Sequence, residues 1–348
     1  MIRFGLALLV FAGHAQLRIQ NAGPLMAVQL FFVVSGVYMA AVFTTKYGSM
    51  EKGVRLFFLN RVLRLWPTYL LLLAFTWLAF VFAGAKIRND FHVFTLFLTP
   101  LTAGDLLYLV PAELLLVGQD VISLDDSLQY LMPVRQSWSI GTELLFYALV
   151  PMVAGRRFCL WVAPTLIVAC FAFKFAALQT WGWRASYFLP PGNLAYFLLG
   201  CCLYHLAHAR TMSPWRRRVT PAMQVLGPAA FAGLALASPN CHFESGELLL
   251  HFAFLASFSA ILVLTFPEKA SRFDNYLGNL SYAFYLNHFL VVMLLANFLP
   301  WPRSMLAVAV LVVSVACSIA TERFLQRPID RFRRRVTSRA ALGAAASG

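Results

Sequence analysis

Residues 277–299, LGNLSYAFYLNHFLVVMLLANFL, contain no lysine, arginine, aspartate or glutamate. An α-helix rises about 1.5 Å per residue, so this stretch is long enough to cross the roughly 30 Å of hydrocarbon in a bilayer. Asn287 and His288 interrupt the apolar residues near its middle, and lipid does not solvate such groups. The stretch therefore predicts a transmembrane helix that contains a polar site.

Similar apolar stretches recur along the chain. Of the 348 residues, 60% are hydrophobic and 12% are charged, whereas a soluble domain has roughly 25% charged residues. This excludes a soluble globular enzyme, a secreted disulfide scaffold and a disordered protein. We predict an all-α integral membrane protein, a bundle of about ten transmembrane helices. The predicted helices lie at 4–20, 25–45, 62–84, 138–154, 158–178, 187–207, 221–237, 247–266, 277–299 and 304–325.

The remaining segments complete the predicted organisation. Prolines and glycine break the apolar stretch 91–117, which we interpret as interfacial or re-entrant. We predict one transmembrane domain over 1–330, followed by a basic, alanine-rich cytoplasmic tail over 331–348.

The net charge of +14 is distributed unevenly between the predicted loops. Twenty basic residues fall in the loops after even-numbered helices and in the C-terminal tail, against six in the odd-numbered loops. By the positive-inside rule this asymmetry predicts that both termini are cytoplasmic, in a multi-pass protein of the inner (cytoplasmic) membrane. The surplus is thus explained by topology and by anionic membrane lipid, and no nucleic-acid partner is predicted.

Three titratable side chains are predicted near the middle of the membrane, where an ionisable group is costly. These are His14, Glu143 and His288, which helix rise places in one layer. Arg3 precedes His14 by eleven residues, about three full helical turns, so both project from one face and Arg3 lies at the cytoplasmic mouth. The structural alternatives are separately satisfied core residues, and for Arg3 an ordinary membrane-interface anchor.

Two further features open and interrupt predicted helices. Arg61 and Arg64 are three residues apart and share a helix face, where guanidinium groups suit the phosphates of a nucleotide-containing donor; snorkelling anchors are the alternative. Ser35–Gly36 interrupts the second helix and indicates either close helix packing or a cavity lining. The cysteines and histidines show no ligand spacing that favours a metal site, so none is predicted.

Several motifs occur in a fixed order along the chain. They are Arg3 with His14, LFFVVSG at 30–36, NRVLRLWP at 60–67, SWSIGTE at 137–143, SYAFYLNH at 281–288 and Glu322–Arg323. In this order they resemble the motifs of the acyltransferase 3 family of integral membrane acyltransferases. Asn60 departs from the pattern, because the family usually has an arginine there.

The resemblance implies about ten membrane spans and transfer of an acyl group, commonly acetyl from cytosolic acetyl-CoA. It implies a hydroxyl acceptor on a surface glycan or a lipid-linked sugar, and no cofactor, since acyl-CoA is the donor substrate. The predicted site residues are His14, Glu143 and Arg3 as catalytic residues, Arg61 and Arg64 as donor-binding residues, and Ser35, Trp138, Ser139, Tyr285 and His288 as pocket residues.

The chemistry leaves alternatives open. A neutral imidazole at His14 acts either as a general base or as a transient nucleophile. Glu143 either orients His14 or deprotonates the acceptor. A proton-coupled transporter or flippase of a lipid-linked saccharide is the alternative function, with the same buried groups forming a proton relay.

Overall fold

The computed structural model describes residues 1–14, 23–83, 102–125, 129, 132–209, 248–265 and 271–346. Helices make up 90% of the structure, and these described residues contain no β-strand. The predicted all-helical class is therefore confirmed.

The described residues form thirteen α-helices. They are α1 (Ile2–His14), α2 (Gly23–Val42), α3 (Gly53–Ala83), α4 (Ala103–Leu115), α5 (Gln119–Ile122), α6 (Trp138–Val153), α7 (Arg156–Trp161), α8 (Ala163–Phe188), α9 (Pro190–Ala209), α10 (Leu248–Thr265), α11 (Arg272–Phe298), α12 (Arg303–Thr321) and α13 (Arg327–Ala346). A 3₁₀ turn, Arg135–Ser137, leads into α6, and π-helical turns at Phe43–Tyr47 and Glu322–Gln326 extend α2 and join α12 to α13.

Six of the described helical segments are long and apolar enough to cross a membrane. They are Gly23–Tyr47, Gly53–Phe82, Ala163–Phe188, Leu248–Thr265, Arg272–Phe298 and Arg303–Thr337. The helices α1 and α6 are shorter, at 13 and 16 residues. The predicted span 221–237 and the end of the span predicted at 4–20 lie outside the described residues. A multi-pass membrane protein is thus supported, while the count of about ten stays a prediction.

Helix ends differ from the apolar boundaries. The third helix begins at Gly53 rather than near residue 62, and it has 31 residues, about 46 Å of helix. This exceeds the hydrocarbon thickness, because backbone hydrogen bonding continues where the side chains become polar. For the same reason the last apolar helix continues into α13, so residues 331–346 of the predicted tail are helical.

The described chain divides into two compact units. The first contains α1 up to Gly13, α2, the end of α6, α7 to α10 and the start of α11. Its centre is the close approach of α2 to α9. A Cβ atom on Gly36 would collide with the carbonyl of Phe197, and one on Gly200 would collide with the carbonyl of Val33. Of the two alternatives for Ser35–Gly36, the glycine thus serves close helix packing.

The second unit contains His14, α3 to α5, the start of α6 and the chain from Asn279 onward. Hydrogen bonds between helices tie it together around α11. The Asn287 amide donates to the Ser314 carbonyl at 3.2 Å and to the Ser318 hydroxyl at 3.0 Å on α12. The Tyr282 hydroxyl donates to the Leu65 carbonyl on α3 at 2.9 Å. These contacts fix α11, the helix that carries His288, against two neighbours.

Candidate active site

A pair of imidazoles lies at the end of α1 and the middle of α11. His14 Nδ1 is 2.8 Å from His288 Nε2, and the ring centroids are 5.1 Å apart with an interplanar angle of 18°. His288 is fully buried and His14 partly buried. The structure therefore joins two of the titratable residues that sequence depth placed in one layer, although 274 positions separate them.

Aromatic side chains and one cation surround this histidine pair. The Phe289 ring meets His14 edge-on at 5.5 Å, and the Phe284 ring stacks on His288 at 6.0 Å. Arg135, in the turn before α6, acts electrostatically on His14, and its guanidinium carbon lies 5.9 Å from the Phe289 ring centroid. The histidine pair thus has apolar neighbours and a positive charge near it. In such an environment of low dielectric constant, electrostatic interactions are stronger than in water.

A second polar junction joins the start of α6 to α11. Ser139 Oγ is 2.8 Å from the Tyr285 hydroxyl and donates to the Gln136 carbonyl at 2.9 Å. The Gln136 amide donates in turn to the Leu286 carbonyl at 2.5 Å. Trp138 is buried as the first residue of α6. The predicted pocket residues Trp138, Ser139 and Tyr285 thus lie around the point where α6 meets the helix of His288.

Glu143 lies one turn after Ser139 on α6. Its Oε1 accepts a hydrogen bond from the Tyr147 hydroxyl at 2.5 Å, and its charge acts on Tyr282 and Tyr285. The carboxylate is therefore oriented by its own helix and faces the tyrosines of α11. That Glu143 orients His14 or deprotonates the acceptor stays a prediction.

The predicted donor-binding arginines lie on α3. Arg61 is buried, with its guanidinium carbon 5.6 Å from the Phe57 ring centroid. Arg64 lines a recess that α3 forms with Tyr282 and Asp330. Both arginines are held by regular helix rather than by a loop.

Asn60 occupies the position where the family pattern has an arginine. Its amide oxygen accepts a hydrogen bond from Arg333 Nε of α13 at 3.1 Å, and Arg333 also pairs with Asp330 at 2.5 Å. A guanidinium from the C-terminal helix therefore lies beside Asn60.

Two predicted site residues belong to the first unit. The guanidinium carbon of Arg3 lies 4.3 Å from the Tyr38 ring centroid, a cation–π contact. Ser35 is buried within α2. No group of three histidine, cysteine, aspartate or glutamate side chains with metal-binding geometry occurs among the described residues.

Sequence reasoning missed several polar residues that the structure buries or half-buries. Arg135, which is half-buried, and Gln136, which is buried, directly precede the Trp138 motif, and this position was the signal for both. Lys174 lies inside an apolar stretch, is fully buried and donates to the Ser186 carbonyl at 2.5 Å. His251 is buried and bonds the Tyr196 hydroxyl at 2.7 Å. Lys174 and His251 are each an isolated polar residue in a hydrophobic segment, and this isolation is the sequence signal that could have identified them.

Comparison with protein families matches residues 1–323 to an acyltransferase domain, that of the acyltransferase 3 family. The chain belongs to this family. The acyltransferase 3 domain therefore covers α1 to α12 and contains every predicted site residue. The predicted resemblance is confirmed, and with it a membrane acyltransferase. No curated protein and no solved structure matches the chain.

Proposed function

We propose that this acyltransferase moves an acyl group, acetyl in the first instance, from cytosolic acyl-CoA to a hydroxyl of a surface glycan or lipid-linked sugar. The observation that carries the proposal is the His14–His288 contact at 2.8 Å inside an acyltransferase domain. An imidazole is a side chain that serves as a general base or as a nucleophile in acyl transfer.

The reaction needs one proton acceptor at the site. In direct transfer, His14 removes the hydroxyl proton while the acceptor oxygen forms a bond to the thioester carbonyl carbon. The carbon–sulfur bond then breaks, and the CoA thiolate takes the proton from His14. In the two-step alternative the imidazole nitrogen of His14 attacks the thioester carbonyl carbon, and the carbon–sulfur bond breaks to give an acyl-imidazole and CoA thiolate. The acceptor hydroxyl oxygen then attacks the acyl carbon, the carbon–nitrogen bond breaks to restore His14, and the hydroxyl proton neutralises the CoA thiolate.

The other polar groups have assignable roles in this proposal. The Arg135 guanidinium, beside the Phe289 ring that contacts His14, stabilises negative charge that develops on the thioester oxygen. Arg61 and Arg64 bind donor phosphates, supported by their positions three residues apart on one regular helix. Glu143, which accepts a hydrogen bond from Tyr147, orients His14 in direct transfer or deprotonates the acceptor where His14 is the nucleophile.

His14→Ala tests the proposal directly. We expect loss of two or more orders of magnitude in transfer rate, since the variant removes the base or nucleophile. Membranes that contain each variant are supplied with radiolabelled acetyl-CoA, and label is counted in the lipid-linked saccharide and surface glycan fractions.

The matched control is His208→Ala, because His208 is exposed at the end of α9 and packs on Tyr204. This variant should keep wild-type activity. Near-normal transfer by His14→Ala, at equal protein level and melting temperature, would overturn the catalytic role of His14. Absence of label with the wild-type protein would favour the transporter alternative.

A further inference from the structure

The hydrogen bonds around His288 determine which of its nitrogens carries hydrogen. His288 Nδ1 lies 3.1 Å from the carbonyl oxygen of Phe284, one turn earlier on α11. A carbonyl oxygen only accepts hydrogen bonds, so Nδ1 is the donor in this contact. A neutral imidazole has one N–H, and Nε2 of His288 is therefore an acceptor.

The same reasoning extends to His14. Its Nδ1 is 2.8 Å from His288 Nε2, and two nitrogens at this distance share one hydrogen. Because His288 Nε2 accepts, His14 Nδ1 donates. The lone pair of the neutral His14 ring is then on Nε2.

We propose that His288 is a positioning residue, which fixes the tautomer of His14 so that Nε2 takes the acceptor proton or the acyl group. The inference rests on the proposed function. It assigns His288 a partner and a direction of hydrogen bonding, as distinct from packing or orienting the acceptor.

The surroundings of His288 support such a role. The helix that carries it is fixed by Asn287, next in sequence, through hydrogen bonds to two residues of α12. The Gln136 amide bonds the Leu286 carbonyl, which ties the same turn of α11 to the segment before α6. The acceptor nitrogen of His288 is thus held in place relative to the second unit's backbone, as tautomer control requires.

Two variants separate hydrogen bonding from packing. His288→Gln places an amide oxygen near the position of Nε2, where it accepts from His14 Nδ1. His288→Leu has similar bulk and accepts nothing. We expect kcat to fall at least about 100-fold in His288→Leu and to stay within about 10-fold of wild type in His288→Gln, because loss of the correct tautomer lowers turnover. The KM for acetyl-CoA should change little in both.

Nitrogen NMR gives a readout that a purely structural role would not move. In protein labelled with ¹⁵N-histidine, the His14 signals are assigned by their loss in His14→Ala. We expect wild-type His14 to show a protonated Nδ1 and an unprotonated Nε2, and this pattern to persist in His288→Gln but not in His288→Leu. A protonated Nε2 in neutral wild-type His14 would overturn the inference even if a variant failed to fold.

The outcomes distinguish this inference from the proposed function. If His14→Ala is inactive while His288→Leu is fully active, the positioning role is wrong and the role of His14 stands. If His288→Gln is as inactive as His288→Leu at equal melting temperature, hydrogen-bond acceptance is not what His288 contributes. If His14→Ala is active, the proposed role of His14 is wrong, and the positioning role of His288 is wrong with it.

Discussion

At the scale of single residues, buried polar side chains in the second unit are stabilised by partners on other segments. Glu113 is an example. It lies on α4, which has 13 residues and is too short to span a membrane. The Tyr69 hydroxyl of α3 donates to its Oε2 at 2.8 Å, and the Gln119 amide donates to Tyr69 at 3.3 Å. Burial raises the pKa of Glu113 to about 7, against the opposing effect of the Tyr69 hydrogen bond. The Glu113 carboxyl group therefore titrates near neutral pH.

We predict that Glu113 makes stability fall as pH rises. The folded pKa is above the ordinary value of 4.5, so the folded chain binds more protons than the unfolded chain between pH 4.5 and about 7. Below this window Glu113 makes its full contribution to the free energy of unfolding. As pH rises through the window, this contribution of about 3 kcal/mol is lost. Melting temperatures of wild type and Glu113→Gln at about pH 5 and about pH 8 measure the difference. Equal decreases in both proteins would contradict the assignment.

Particular residues show how far the sequence predicted the site. His14, Ser139, Glu143, Tyr285 and His288 were named from motif order and depth, which are local properties. The pairing of His14 with His288 was not predicted, because this contact joins residues that lie 274 positions apart in the sequence. Arg135 was missed for the same reason. Its position directly before the Trp138 motif is a signal in the sequence, whereas its place beside the Phe289 ring follows only from the structure.

At the scale of elements, helices extend past the apolar stretches from which they were predicted. Hydropathy identifies the residues that face lipid, whereas a helix ends where its backbone hydrogen bonds end. The start of α3 at Gly53 places Arg61 and Arg64 inside the helix, opposite α13. The Gln326 amide, at the end of the π-helical turn before α13, donates to the Thr68 hydroxyl of α3 at 3.3 Å. Backbone rigidity at the arginines favours bidentate binding of phosphate.

We predict that Arg64→Glu weakens acetyl-CoA binding. The variant puts a negative charge into the recess that already contains Asp330, so a donor phosphate should be repelled and Kd should rise at least about 10-fold. Lys46→Glu is the matched control, since Lys46 is exposed in the π-helical turn after α2. Titration calorimetry of the purified proteins with acetyl-CoA measures both. Equal, small changes of Kd in the two variants would show that Arg64 does not bind the donor.

At the scale of the whole molecule, the distribution of positive charge predicts which side of the protein faces the cytosol, and the proposed donor site depends on this orientation. A cytosolic donor requires that Arg64 and the basic residues of α13 lie on the cytoplasmic side. The described part of α13 exposes arginines along one side, namely Arg327, Arg331, Arg334 and Arg335. Moving such a segment across a membrane is unfavourable, and anionic lipid attracts it to the cytoplasmic face.

We therefore predict that a reporter fused after Gly348 is cytoplasmic. Green fluorescent protein at this position should fluoresce, and alkaline phosphatase should be inactive because it needs the oxidising exterior. A fusion that truncates the chain after Arg184, near the end of α8 that is predicted to lie outside, should give the opposite pattern. Phosphatase activity of the Gly348 fusion would overturn the topology. Arg61 and Arg64 would then face away from the cytosolic donor, while the His14–His288 contact, which does not depend on orientation, would remain.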